Sequence, residues 1–310
     1  MTVLLIAHST FPETWRIAFE NAFRGEGLAI WPKLDTPNTI DCAVIARREV
    51  GVLSTLPNLK LISSTGMGVD HILSLPDLPK HVPIARVVTV EMVDQVTEYV
   101  TLAVLRVERD SDRFDALQRE GKWQRRMSGR AGGRLRVGLL GWGVISRAIA
   151  RRLTFLGFNV RAWARSARTE DGVVIGSGRQ GLNEMLEISD ILVSALPNTA
   201  DTESLLNSQT LGRLPVHAHL INVGRGEHVD DQALLQMLNA GHLAGATLDV
   251  FRNEPLPADH PYWTHPKIRI TPHSAGMLTP EDSASVILRN LQRVREGLVP
   301  EHQINVAIGF

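Results

Sequence analysis

The chain has 310 residues, which suits one very large domain or two ordinary ones, and 44% of them are hydrophobic, enough for full cores. Lysine and arginine (33) balance aspartate and glutamate (33), so no basic field marks a nucleic-acid binder and no acidic run marks a disordered tail. The one cysteine, Cys42, excludes an internal disulfide and a thiolate metal cluster.

Residues 3–7 are apolar but too few for a signal segment, and no basic stretch precedes them. No apolar run approaches the roughly 20 residues of a membrane span, so the expectation is a soluble cytoplasmic protein. Up to about residue 100, short apolar runs alternate with helical patterns. Runs at 3–7, 28–31, 43–46, 59–63 and 84–87 read as buried strands. Trp15, Ala18, Phe19, Ala22 and Phe23 form a helical stripe closed by Gly25 and Gly27. Strands alternating with helices predict a parallel sheet. Thr65-Gly66-Met67-Gly68-Val69-Asp70 follows one strand, and its amides suit an anion nest or a plain turn.

From Glu91 to about Arg109 the pattern is helical, and Gly121-Lys122-Trp123 breaks it. Residues 129–136 read as a glycine- and arginine-rich loop. A second series then begins with Val137-Gly138-Leu139-Leu140-Gly141-Trp142-Gly143-Val144-Ile145-Ser146. Ile145, Ile149, Leu153 and Leu156 recur at helical spacing before Gly157. This is strand, turn, helix. Gly141 allows the tight turn, and Gly143 leaves the helix N-terminus open to a pyrophosphate. Ser146 stands where a third glycine is usual, which leaves an ordinary strand–helix turn as the alternative. Further strands are predicted at 159–164, 190–196, 218–223, 244–250 and 268–271, and helices at 230–238 and 280–296.

Ligands of open parallel sheets bind beyond the carboxyl ends of the strands, and the unusual residues of this half fall there. Arg165 ends the second strand, Pro197-Asn198-Thr199 another and Arg225 the next, with Asp249, Glu254 and His273 after later strands. A carboxylate at position 165 would accept from the ribose 2′-hydroxyl of NAD. The segment here is Trp163-Ala164-Arg165-Ser166-Ala167-Arg168, with no carboxylate before Glu170. Two guanidiniums and a hydroxyl suit a 2′-phosphate, so NADP(H) is expected over NAD(H), with NAD(H) left open. Gly224 and Gly226 read as glycines that let the backbone approach a ligand closely, and Arg225 between them as a carboxylate clamp that also polarises a ketone, or as a salt-bridge partner. A glutamate beside a histidine favours the imidazolium, which makes Glu254 with His273 a candidate general acid. His217 and His219 form one strand-spaced pair without further ligands, so no metal site is expected.

The combination resembles the D-2-hydroxyacid dehydrogenase family. It rests on the Gly141–Ser146 turn, Leu196-Pro197-Asn198-Thr199, Asn222-Val223-Gly224-Arg225-Gly226, the run from Leu248-Asp249 through Glu254-Pro255-Leu256-Pro257, Thr271-Pro272-His273 and Gly68-Val69-Asp70-His71-Ile72. In appearance it is closest to the glyoxylate/hydroxypyruvate reductase A branch. The resemblance implies an α/β chain of two Rossmann-like or flavodoxin-like domains with parallel sheets and an active-site cleft between them. Residues 1–100 with 279–310 would be the substrate domain, and 101–278 the NADP-binding domain. It implies NADPH-dependent reduction of small 2-oxoacids, with Arg225, Glu254 and His273 catalytic. Cofactor contacts would come from Gly141, Gly143, Val144, Ile145, Arg165, Ser166, Arg168, Leu196, Pro197, Thr199, Val223, Gly224, Arg225, Asp249, His273 and Ala275. Substrate contacts would come from Gly66, Met67, Gly68, Arg225 and His273, and a homodimer is expected.

Two departures bear on the substrate. Met67 replaces a commoner alanine, and Arg47 and Arg48 stand where the branch tends to carry tryptophan. Arg47 either recognises a second anionic group or faces solvent. A reductase of larger or dicarboxylic 2-oxoacids, differing at Arg47, Met67 and Trp123, is therefore the alternative enzyme. A dinucleotide-sensing binding protein of the same fold is the non-enzyme alternative, and the lack of long polar extensions argues against it. No nucleic-acid or membrane partner is expected.

Overall fold

The structure is a computed structural model and describes residues 2–7, 11–125 and 134–309. Most of the loop expected at 129–136 lies outside the described residues. The chain divides into two compact units, Met1–Met92 with Met277–Phe310, and Val93–Gly276.

The first unit holds five parallel strands: β1 (Thr2–Ile6), β2 (Leu28–Ile30), β3 (Ile40–Ile45), β4 (Leu61–Ser64) and β5 (Ile84–Ala85). Their order is β2-β1-β3-β4-β5. Every residue of β3 and β4 is buried, Asp41, Ser63 and Ser64 included, so neither strand alternates apolar and polar faces. Helix α1 (Glu13–Ala22) turns Ala18 and Phe19 inward, and Phe23 follows them against Val3, Leu5 and Val44. Burying one such large apolar side chain contributes about 2–3 kcal/mol. A short helix, α2 (Asp70–Leu73), follows the Gly66–Gly68 turn.

Helix α3 (Val90–Glu108) runs across the division between the units. The division falls after Met92 and after Gly276, not at the expected 100 and 278. The reason is packing. Val96, Val100, Ala103 and Val104 of α3 share one core with Val137, Leu139, Ile149 and Leu153 of the second unit. Asp110 takes a left-handed conformation (φ 53°), and α4 (Ser111–Arg119) starts a new direction.

The second unit continues with β6 (Arg136–Leu140), α5 (Val144–Phe155), β7 (Asn159–Trp163), β8 (Arg168–Glu170), β9 (Val173–Gly176), α6 (Gly178–Leu186) and β10 (Ile191–Ser194). After these come α7 (Ser208–Leu211), β11 (Ala218–Asn222), α8 (Asp231–Asn239), β12 (Leu243–Leu248) and β13 (Ile268–Ile270). The sheet order is β13-β12-β11-β10-β6-β7-β9-β8, parallel except for β8. The hairpin of β8 and β9 and the helix α6 are absent from the sequence reading, which leaves residues 165–168 as an open basic segment. Asp171 and Gly172 both have positive φ (50° and 78°), the two-residue turn that an Asp-Gly pair favours, so Arg168 becomes the first residue of a strand.

Helix α9 (Pro280–Arg295) belongs to the first unit and buries Ala284, Val286, Ile287 and Leu291 in the core that holds Phe19 and Phe23. No described helix is long and apolar enough to cross a membrane.

Candidate active site

β6 lies between β7 and β10, so the chain leaves the middle of the second sheet in both directions. A crevice opens at such a switch point, and the Gly141 turn sits there. Gly141 has φ +96°, and a Cβ on it would stand 3.3 Å from the Ala195 carbonyl oxygen. Conformation and space both demand glycine. Gly143 is different: a Cβ there meets no atom within 4 Å. It caps α5, a helix of 12 residues, so open space lies at a helix N-terminus beside Val144 and Ile145. Ser146, in place of the third glycine, is buried inside the α5 packing face with Ile149 and Leu153.

Beyond β7, Arg165 and Ser166 are exposed. Arg168 Nη1 donates to Ser166 Oγ at 2.9 Å and to the Ser166 carbonyl at 3.1 Å. Its Nε donates to Glu170 Oε2 at 3.1 Å, and Arg147 faces the other Glu170 oxygen at 3.1 Å. Arg168 and Ser166 are thus locked together as a cation–hydroxyl pair, and Arg168 is partly neutralised, which the sequence reading does not include.

At the ends of β10 and β11, one histidine joins the loops. His228 is fully buried, and its Nδ1 accepts the Arg225 amide at 3.2 Å. Its Nε2 therefore carries the proton and donates to the Pro197 carbonyl at 3.2 Å. Thr202 Oγ1 gives Pro197 a second bond at 2.8 Å and accepts the Thr199 amide at 2.9 Å, while Leu196 packs into the core. Asn222 Nδ2 donates to the Arg225 carbonyl at 2.8 Å, and its Oδ1 accepts the Gly224 amide at 3.2 Å. This arrangement corrects the reading of the two glycines as room for a ligand. A Cβ on Gly224 would stand 2.9 Å from the Leu196 carbonyl oxygen, and one on Gly226 would stand 1.9 Å from the Phe251 carbonyl carbon. Both glycines let protein backbones approach each other. The half-buried Arg225 side chain is the group this loop presents, with Nη1 donating to the Gly224 carbonyl at 2.7 Å.

Past β12 and β13, Glu254 Oε2 lies 2.8 Å from His273 Nδ1, and Glu254 Oε1 accepts the Phe251 amide at 2.9 Å. The bond to Glu254 is the largest influence on His273. It outweighs partial burial, the Glu254 charge adds to it, Arg225 opposes it, and together they hold the imidazole above its ordinary value. Burial pushes the Glu254 carboxyl up, but the bonds from His273 and Phe251 and the charges of His273 and Arg225 together bring it below its ordinary value. An Nδ1–H aimed at a carboxylate leaves Nε2 as the atom that can carry a proton outward. His273 has φ 52°, a left-handed conformation that costs a non-glycine residue about 1–2 kcal/mol. The cost is met locally. The His273 amide donates to the Asp249 carbonyl at 2.7 Å, and the buried Asp249 carboxylate accepts the Ser274 and Ala275 amides at 2.9 Å.

In the first unit, β3 and β4 are paired with Ile45 opposite Ser64, so Arg47 and Gly66 follow neighbouring strand ends. Ser64 Oγ braces the turn, accepting the Gly66 amide at 3.1 Å and donating to the Gly68 carbonyl at 2.8 Å around Met67. Arg47 pairs with Glu49, and its Nε has no hydrogen-bond partner among the described residues. Arg48 reaches the Ser74 carbonyl at 3.4 Å. Trp123 of the second unit is 91% exposed.

The second unit therefore gathers Gly141, Gly143, Arg165, Pro197, Thr199, Val223, Arg225, Asp249, Glu254, His273 and Ala275 at the carboxyl edge of one sheet. Sequence reasoning misses Asn222, His228 and Thr271, which shape that edge from beneath. Asn222 and Thr271 lie inside motifs quoted above, but nothing in the sequence singles out His228 from the other histidines. Among the described residues, no group of three His, Cys, Asp or Glu side chains could hold a metal ion.

Residues 101–275 match the family model described as D-isomer specific 2-hydroxyacid dehydrogenase, NAD binding domain. A glyoxylate/hydroxypyruvate reductase A from Serratia proteamaculans is 36% identical over 304 residues, covering 96% of each chain. A D-isomer specific 2-hydroxyacid dehydrogenase from Xanthobacter autotrophicus, solved with NADPH and MES, superposes with a TM-score of 0.91 at 34% identity over 99% of both chains. An NADPH-dependent glyoxylate/hydroxypyruvate reductase from Sinorhizobium meliloti, solved with NADP and sulfate, gives a TM-score of 0.91 at 31% identity over 100% of both. A switch-point glycine turn, an arginine between packing glycines and a Glu–His pair thus occur in a chain alike throughout its length to these dehydrogenases, and the chain belongs to the D-isomer specific 2-hydroxyacid dehydrogenase family.

Proposed function

We propose that this oxidoreductase reduces small 2-oxoacids, glyoxylate and hydroxypyruvate among them, with NADPH. The Glu254–His273 pair carries the proposal: a histidine whose Nδ1 lies 2.8 Å from a carboxylate, after strands of the same sheet that ends in the glycine turn, supports a proton donor beside the cofactor. The residues present fit a dinucleotide. Open space at Gly143 faces the N-terminus of α5, and the locked Arg168–Ser166 pair with Arg165 offers donors to a 2′-phosphate. Relatives solved with NADPH or NADP support the same choice. When bound, the nicotinamide supplies the hydride for C2 of the oxoacid.

The protein's own part is charge and orientation. Arg225 binds the substrate carboxylate and draws electron density toward the keto oxygen. His273 gives the Nε2 proton to that oxygen as it becomes an alkoxide, and Glu254 holds the imidazolium that precedes transfer. Asp249 and Ala275 fix the His273 loop. Val144, Ile145, Leu196, Pro197, Thr199, Val223 and Gly224 line the cofactor side of the edge. Contact of Gly66, Met67 and Gly68 with substrate rests on the family resemblance, as does the homodimer.

NADPH oxidation followed with glyoxylate and with hydroxypyruvate, and NADH as control, tests the reading. Turnover with NADPH well above that with NADH is expected. No turnover with either acid would contradict it. One observation favours a second reading, reduction of larger or dicarboxylic 2-oxoacids: Arg47 follows the end of β3, beside the strand that leads into the Gly66–Gly68 turn, and although it pairs with Glu49 its Nε is unmatched among the described residues. Faster turnover of oxaloacetate than of glyoxylate, lost in Arg47→Ala, would establish it.

A further inference from the structure

Thr271 Oγ1 donates to Asp249 Oδ1 at 2.6 Å, and the Tyr99 hydroxyl lies 2.6 Å from the same threonine oxygen. A hydroxyl owns one proton. Thr271 gives its proton to the carboxylate, so the Tyr99 phenol is the donor of the second bond. Burial raises the Tyr99 phenol above its ordinary value, more than the bond to Thr271 lowers it, which keeps that proton in place. Tyr99, Thr271 and Asp249 thus form a one-way chain running from α3 through the end of β13 to the end of β12.

The chain ends on the backbone that carries His273. Asp249 is 2% exposed and accepts three donors: the Thr271 hydroxyl and the amides of Ser274 and Ala275. Those two amides follow a histidine whose φ is 52°. Non-glycine residues stay in that region only where their surroundings over-determine it. Successive hydrogen bonds also polarise one another in a buried setting, so each donor strengthens the next.

We propose that Tyr99 and Thr271 are positioning residues for His273. They hold the Asp249 carboxylate in the orientation that receives the Ser274 and Ala275 amides, and so keep the His273 backbone left-handed with Nδ1 on Glu254. Neither side chain is among the groups proposed above to bind substrate or cofactor. The proposal rests on His273 being the proton donor of the reaction, and a readout without turnover separates the two claims.

The variants are Tyr99→Phe, Thr271→Val, Thr271→Ser and the double change Tyr99→Phe/Thr271→Val, each assayed with NADPH and glyoxylate. Loss of a donor to a buried carboxylate sets the expected scale. Thr271→Val lowers kcat about tenfold and Tyr99→Phe about threefold, while the glyoxylate KM and the NADPH Kd stay within about twofold. Thr271→Ser keeps the hydroxyl and restores kcat. The double variant matches Thr271→Val alone, because Tyr99 acts only through Thr271. Unchanged kcat in Thr271→Val, a loss confined to KM, or additive losses in the double variant would each overturn the proposal. Amide hydrogen exchange of the peptide spanning 272–276 needs no turnover. In Thr271→Val it is expected to speed up about tenfold, since the Ser274 and Ala275 amides lose their fixed acceptor. Unchanged exchange would overturn the positioning role even if the enzyme proves to reduce no glyoxylate.

Discussion

Glu254 spans two anchors: its Oε1 takes the Phe251 amide at 2.9 Å while its Oε2 takes His273 Nδ1 at 2.8 Å. The carboxylate is fixed by its own loop before it meets the histidine, so it sets both the orientation and the charge of the imidazole.

The pH profile follows. The bond to Glu254, against partial burial, raises the His273 value, so the acid form persists to higher pH than in a free histidine. Reduction should be full below that raised value and fall as pH rises through it. In Glu254→Gln the imidazolium loses its counter-charge, and the fall should move to lower pH. Initial rates of kcat/KM against pH decide it, and an unmoved limb would separate Glu254 from the histidine.

Cofactor choice should follow Arg165 and Arg168. Replacing both with glutamine removes the donors facing a 2′-phosphate and should weaken NADPH about tenfold to a hundredfold, with NADH little changed. Arg168→Gln alone should cost less, because Glu170 already offsets part of its charge at 3.1 Å. Fluorescence titration with both cofactors checks this, and equal losses for NADPH and NADH would refute the assignment.

Gly226 is a packing residue. A Cβ there stands 1.9 Å from the Phe251 carbonyl carbon and 2.2 Å from the Arg252 nitrogen, neither of which is a flexible side-chain end. Gly226→Ala should cost about 3 kcal/mol or more and displace Arg225. Thermal unfolding of the variant should show a clear fall in Tm. An unchanged Tm would mean that the loop relaxes freely.

Acid should destabilise the fold through His219. Burial pushes this imidazole down to about 4, with Nε2 3.1 Å from Thr247 Oγ1. The unfolded chain takes up a proton near pH 6.5 that the folded one refuses until about 4. Stability therefore falls as pH drops through that window, by about 3 kcal/mol in all. His219→Gln should flatten the dependence of Tm on pH between 6.5 and 4. Parallel curves would show that other groups dominate.

Much of this site is legible in the sequence because its residues sit at strand ends, where an apolar run stops and a polar residue becomes conspicuous. Gly141, Arg225 and His273 are found that way, and the Ile145, Ile149 and Leu153 spacing locates α5. Other features leave no local trace. His228 is buried in the loop after β11, so only the fold shows that it joins the Pro197 and Arg225 loops. Tyr99 and Thr271 are 172 positions apart and meet only in the folded chain. The Asp171-Gly172 turn carries a hairpin signal, but the strand before it, Arg168–Glu170, is polar and only three residues long, so the apolar pattern does not reveal it. Gly224 and Gly226 are correctly marked as special for the wrong reason, since close approach to a ligand and to another backbone leave the same residue in the sequence.

The central claim is that His273 donates the proton to a 2-oxoacid reduced by NADPH. A single-turnover experiment on His273→Ala, mixed with NADPH and glyoxylate beside the parent enzyme, tests it most directly. NADPH should bind with nearly the parent affinity while its oxidation slows about a hundredfold to ten-thousandfold. Oxidation at the parent rate would contradict the assignment.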